Sequence, residues 1–109
     1  MDLIVSGKNI KVTPSLKNYV TEKISKVAGY WHRIIRARVE LKVEKAAKEG
    51  KASEVSVNLE LPGKDISAQV KASEMHEAID LVLPKLESQI RKAKGKLEDK
   101  ARRLARHDN

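Results

Sequence analysis

The strongest constraint on this chain is a switch in hydrophobic period. In the first of three consecutive runs, Ala37, Val39, Leu41 and Val43 alternate with Arg36, Arg38, Glu40, Lys42 and Glu44. Val55, Val57, Leu59 and Leu61 alternate in the same way with Glu54, Ser56, Asn58 and Glu60. Ile66, Ala68, Val70 and Ala72 complete a third run. A period of two puts every apolar side chain of a strand on one face. Pro62-Gly63-Lys64 supplies a turn, and Lys45-Ala46-Ala47-Lys48-Glu49-Gly50-Lys51 a longer polar connection. The three runs predict an antiparallel meander with one apolar face. Such a face requires a cover.

Two segments of helical period supply it. Thr13 and Pro14 form a helix start, a hydroxyl cap followed by a proline whose missing N–H does no harm there. Leu16, Val20, Ile24, Val27 and Trp31 follow at steps of three and four. The second stripe is Met75, Ile79, Val82, Leu86, Ile90, Ala93, Leu97, Ala101 and Leu104, with Ser73 as its expected cap and Glu74 and Glu77 suiting the helix dipole. Pro84 is expected to kink this helix, and Gly95 to leave the end beyond Leu97 frayed. A short first strand, Leu3 and Val5 opposite Asp2 and Ile4, closes at Ser6-Gly7. The expected fold is α+β, in the order β-α-β-β-β-α: a four-stranded sheet with both helices packed on one face. At 109 residues the chain supports a single core. Tyr19, Tyr30 and Trp31 are its only aromatic residues, so that core is aliphatic.

Composition narrows the function classes. Without cysteine there is no disulfide scaffold and no thiolate metal site, which suits a reducing cytoplasm. The opening Met1-Asp2-Leu3-Ile4-Val5-Ser6-Gly7 is too short and too acidic for a secretory signal, and no apolar run approaches bilayer length. His76 and Asp80 stand one helical turn apart, but no third metal ligand is visible. No glycine-rich phosphate loop or nucleophile elbow appears. We therefore expect no catalytic residue, metal, cofactor, small-molecule substrate or membrane partner. Trp31-His32 suits a lid on the core better than a stacking pair.

The formal charge of +8 is unevenly placed. Residues 14–33 carry Lys17, Lys23, Lys26 and Arg33 against Glu22 alone, and 85–106 carry nine bases against Glu87, Glu98 and Asp99. Between them Glu74, Glu77 and Asp80 form an acidic collar. Clustering of cations on two helices is the footprint of a polyanion binder. At about 100° per residue, Lys85, Lys92, Lys96 and Arg103 share one edge of the second helix, and Tyr19, Lys23, Lys26 and Tyr30 one edge of the first. If the helices lie side by side, these edges combine into one basic band for RNA phosphates. The plainer alternative is lysines that cover the core with their stems. The solvent face of the sheet, by contrast, has mixed charge and no aromatic. It therefore lacks the base-stacking platform of an RRM, and the acidic collar replaces the basic helix start of a double-stranded-RNA-binding domain.

Four segments form one set: Leu3-Ile4-Val5-Ser6-Gly7-Lys8-Asn9-Ile10-Lys11-Val12-Thr13-Pro14-Ser15-Leu16, Tyr19–Val27 with its paired lysines, Val39–Lys45, and Glu74-Met75-His76-Glu77-Ala78-Ile79-Asp80 continuing to Lys85–Lys92. In these the chain resembles the ribosome hibernation-promoting factors and ribosome-associated inhibitors. The resemblance is strongest in the last segment and covers residues 2–97. It implies a ribosome-binding domain over 1–97, with 98–109 a basic helical extension or tail. The implied partner is the small ribosomal subunit and its ribosomal RNA, bound in the channel for messenger and transfer RNA at the aminoacyl and peptidyl sites. The implied action is steric block of translation in stationary phase. Carried over by motif, the RNA-binding residues are Lys23, Lys26, Lys85 and Lys92, with Arg91 and Lys96 added. A separate ribosome-dimerising factor is a candidate further partner.

Three departures stand out. Ser88 occupies a position where the family commonly has Arg, and Pro84 one where it has a polar helix former. The chain is also expected to lack the C-terminal domain of long-form members and the acidic tail of the inhibitor type, since Lys100-Ala101-Arg102-Arg103-Leu104-Ala105-Arg106 is basic. It is expected to be a short form whose basic tail adds RNA contact. A small RNA-processing enzyme using His76, or a basic protein-interaction domain, is the competing reading.

Overall fold

A computed structural model describes residues 1–45 and 52–107, with side chains in the last helix as far as Leu97. The elements are β1 (Asp2–Lys8), α1 (Pro14–Ala28), β2 (Arg36–Val43), β3 (Ser53–Leu61), β4 (Lys64–Ala72) and α2 (Met75–His107). They form the expected α+β order around one four-stranded sheet, β1-β2-β3-β4. The meander is antiparallel, with Val39 opposite Val57 and Val57 opposite Ala68. β1 joins it parallel to β2, with Val5 opposite Val39. A parallel neighbour requires a crossover, and α1 provides it.

One face of the sheet is sealed. Ala37, Val39 and Leu41, then Val55, Val57 and Leu59, then Ile66, Val70 and Ala72 are buried beneath Leu16, Val20, Ile24 and Val27 of α1 and Ile79, Val82, Leu86 and Ile90 of α2. At about 25 cal/mol per Å² of apolar surface removed from water, this aliphatic layer is the main source of stability. On the other face Arg36 and Arg38 pair with Glu60, Lys71 with Glu54 and Lys42 with Glu44. Gln69 also donates to Glu54, and Asn58 to Asp65. The open face thus neutralises its own charge.

Local chemistry explains where elements begin and end, and where expectation fails. Thr13 caps α1 as expected: its hydroxyl accepts from the Leu16 N–H at 3.2 Å, with Pro14 in the first turn. α1, however, ends at Ala28. The Gly29 N–H closes it on the Ser25 carbonyl, and Trp31 reaches the core from the following turn, with its N–H on the Ala28 carbonyl. Leaving the helix lets the indole bury while the chain turns toward β2. β1 also runs past Ser6-Gly7, because Gly7 pairs with Leu41. A Cβ at Gly7 would lie 2.7 Å from the Ile10 carbonyl oxygen and 2.8 Å from Val12 Cγ2, so the glycine allows the returning chain to pack on the strand. The reversal itself falls at Asn9, at φ 59°. Gly63, at φ 77°, makes the tight β3–β4 turn.

Ser73 does not cap α2. The first helical bond runs from the Ala78 N–H to the Glu74 carbonyl, so Glu74 holds the cap position. The Ser73 hydroxyl donates instead to the Glu77 carboxylate at 3.0 Å. α2 continues through Pro84 and Gly95 to His107, 33 residues in all. It outlasts the sheet, and the molecule extends 61 Å along its longest axis. The connection at 46–51 and the side chains of 98–109, including Arg103, lie outside the described residues.

Candidate nucleic-acid interface

Because the open sheet face cancels its charge, the surplus resides on the helix side. There Lys26 pairs with Glu22 at 3.3 Å, both side chains well exposed, an arrangement worth only a few tenths of a kcal/mol. Among the described residues no ion pair engages Lys85, Arg91, Lys92 or Lys96.

The two basic edges do not meet along one seam. The side of α2 that touches α1 carries His76, Asp80 and Lys94. The Tyr19 hydroxyl donates to Asp80 Oδ1 at 2.5 Å, and its ring packs edge-on against His76 with centroids 4.6 Å apart. Farther along, Lys94 Nζ lies 4.3 Å above the Tyr30 ring and 5.5 Å from that of Trp31. Lys85, Lys92 and Lys96 lie on the opposite flank of α2, against β4. Lys85 Nζ approaches the Gln69 carbonyl at 3.4 Å, and the Gln89 side-chain amide donates to the Ser67 carbonyl at 2.7 Å. Lys92 and Lys96 line the groove shared with Lys64, Asp65 and Ile66. A helix of about 10 Å diameter therefore separates Lys23 and Lys26 from this second row.

Exposed Arg91 spans the interval. On helical geometry it projects from the outward arc of α2 between Lys94 and Lys92, with Ser88 on the same arc one turn earlier. The cations thus wrap around the exposed surface of α2 rather than forming a line. The surface has a polarity as well: Glu74, Glu77 and Asp80 occupy the start of α2, and its cations begin at Lys85. Tyr19 occupies Asp80 with a hydrogen bond and places its ring 5.4 Å from Lys23 Nζ. That hydrogen bond, followed by partial burial and the negative charge of Asp80, raises the phenol above its ordinary pKa. His76 and Asp80 both face Tyr19, and among the described residues no cluster of three metal-ligating side chains forms. Trp31 is buried as a lid, and His32 is exposed beside it.

Sequence arithmetic missed Lys94. Its partners lie more than 60 residues earlier, and no local spacing announces them. No described helix is long and apolar enough to cross a membrane.

Comparison with known proteins places the fold in a family. Residues 3–98 match the model of a family described as Sigma 54 modulation protein / S30EA ribosomal protein. A ribosome hibernation promoting factor of Klebsiella oxytoca is 36% identical over 98 residues, covering 90% of this chain and 98% of that protein. A ribosome hibernation promotion factor of Deinococcus radiodurans is 38% identical over 90 residues, 83% of this chain and 47% of that longer protein. Among solved structures, a ribosomal subunit interface protein from Coxiella burnetii superposes with a TM-score of 0.77 at 25% identity, covering 87% of this chain and 99% of that one. By fold, by match length and by identity, this chain belongs to the Sigma 54 modulation protein / S30EA ribosomal protein family.

Proposed function

We propose that this chain is a ribosome hibernation factor that works in the cytoplasm without catalysing a reaction. It binds the small ribosomal subunit in the channel for messenger and transfer RNA, at the aminoacyl and peptidyl sites, and blocks translation in stationary phase. Lys23 and Lys26 of α1, with Lys85, Arg91, Lys92 and Lys96 of α2, contact ribosomal RNA phosphates. The observation that carries this reading is the partition of charge: the sheet face neutralises itself, while the helix face presents cations in excess. Phosphate contacts supply affinity, and the shape of the two-helix surface supplies the address. The hold of Lys85 on Gln69 is long, so exchanging it for a phosphate costs little. Residues 1–97 form the binding unit, and 98–109 add RNA contact.

Co-sedimentation with purified small ribosomal subunits across a salt series tests this. Six phosphate contacts predict an affinity loss on the order of a thousandfold between about 50 and 200 mM salt. Replacing Lys85 and Lys92 by Ala should lower the slope of log affinity against log salt by about 1.5 to 2. Salt-independent binding, or binding that survives loss of Lys23, Lys26, Lys85 and Lys92 together, overturns the proposal.

A further inference from the structure

Where α2 leaves the sheet there is a niche of about 140 Å³. Trp31, Leu61, Pro62, Ala93 and Leu97 give it apolar walls, and Arg33, Lys64 and Lys96 surround them. The niche continues the row of cations on the β4 flank of α2, since Lys64, Ala93 and Lys96 also line the adjoining groove with Lys92. From Lys85 to Lys92 to Lys96 the helix advances about 10 and then 6 Å. Lys94, over Tyr30 and Trp31 on the other flank, fixes the aromatic wall from behind.

An apolar slot with three cations around it is complementary to an apolar-faced ring that carries anions on its tether. We propose that this niche receives the base of one unpaired nucleotide of the bound RNA, with the adjoining phosphates on Arg33, Lys64 and Lys96. The inference rests on the RNA-binding reading above and adds a base contact to a surface otherwise built for backbone. Unpaired bases are the part of folded RNA that proteins reach most readily with apolar and aromatic side chains. Leu97 and Tyr30, each unusually exposed for its type, stand at the same end of the molecule. An exposed leucine beside an open slot is what an inserted base would cover.

The niche can be filled without touching a charge. Ala93→Leu places a larger side chain at its wall, and Leu97→Ser weakens the opposite wall. Folding of both variants is checked by thermal melting. With small ribosomal subunits, each should bind about tenfold more weakly than the wild type with an unchanged salt slope, because the apolar contact to the base is lost and phosphate contacts remain. Lys64→Ala should instead lower the slope. Trp31, the single tryptophan, reports directly: its fluorescence should be quenched when the wild type binds a six-residue oligoadenylate, and not when the Ala93→Leu variant does. A benzophenone amino acid in place of Leu97 should crosslink to ribosomal RNA when the complex is irradiated. Wild-type affinity in both niche variants overturns the proposal and leaves the phosphate surface standing. A crosslink to a ribosomal protein overturns it in favour of an apolar side chain as occupant. Failure of the wild type to bind small subunits at all removes the RNA-binding reading itself, and the niche proposal with it.

Discussion

At the scale of single residues, Tyr19 is the side chain that ties the helices together. It gives its hydroxyl proton to Asp80 and its ring edge to His76 across the α1–α2 boundary. Tyr19→Phe removes the hydrogen bond and leaves the packing, so it should cost about 0.5–1.5 kcal/mol in chemical denaturation. The pH dependence has a definite sign. Asp80 and partial burial hold the phenol above its ordinary pKa, so the folded chain keeps this proton more tightly than the unfolded chain. The stability contributed by Tyr19 is complete below about pH 10 and is lost as pH climbs through the raised value. Denaturation midpoints of wild type and Tyr19→Phe should therefore converge above about pH 10; parallel curves would dissociate the phenol from stability. Gly7 makes a simpler case. A methyl group there meets Ile10 and Val12 below van der Waals distance, so Gly7→Ala should destabilise by about 1–3 kcal/mol.

At the scale of elements, α2 carries both an anomaly and a vacancy in its charge pattern. Pro84 cannot donate to the Asp80 carbonyl, yet the helix runs on through it, held by Val82 and Leu86 in the core. Pro84→Ala restores the bond at an exposed position and should raise stability by about 1–3 kcal/mol, read as a higher melting temperature. Ser88 lies on the outward arc among Lys85, Arg91 and Lys92. Ser88→Arg should tighten small-subunit binding and steepen its salt slope by about one; an unchanged slope would place this arc away from phosphate. The elements themselves were largely legible in the sequence. β2, β3 and β4 follow from strict alternation, and Thr13-Pro14 marks the start of α1 to the residue. What escaped depended on distant partners or on competition between equals. Nothing local shows that β1 pairs parallel, that Trp31 reaches the core from a turn, or that Glu74 rather than Ser73 caps α2. Helical arithmetic grouped Lys85, Lys92 and Lys96 correctly on one edge. It could not say which flank meets β4, because that depends on how both helices seat on the sheet.

At the scale of the whole molecule, two surfaces divide the work. The sheet's outer face pairs its charges strand to strand, so substitutions there should alter stability slightly and ribosome association hardly at all. Arg38→Ala checks this: it should leave the salt slope of small-subunit binding unchanged, although it removes a base just as Lys92→Ala does. An equal fall in slope for both would mean that binding follows net charge and not surface. The partition is also why +8 alone was an incomplete guide. Net charge measured the surplus, and only the pairing on the sheet shows where it is free to act.

The hold of α2 on β4 has a consequence for self-association. A sheet lengthens by adding strands at its edges, and growth without limit needs two open edges. Here Lys85 and Gln89 occupy the Gln69 and Ser67 carbonyls on the β4 side, leaving β1 as the edge without such a cover among the described residues. Two copies joined through β1 would form an eight-stranded sheet with a guarded β4 at each end. Polymerisation by this route therefore stops at two.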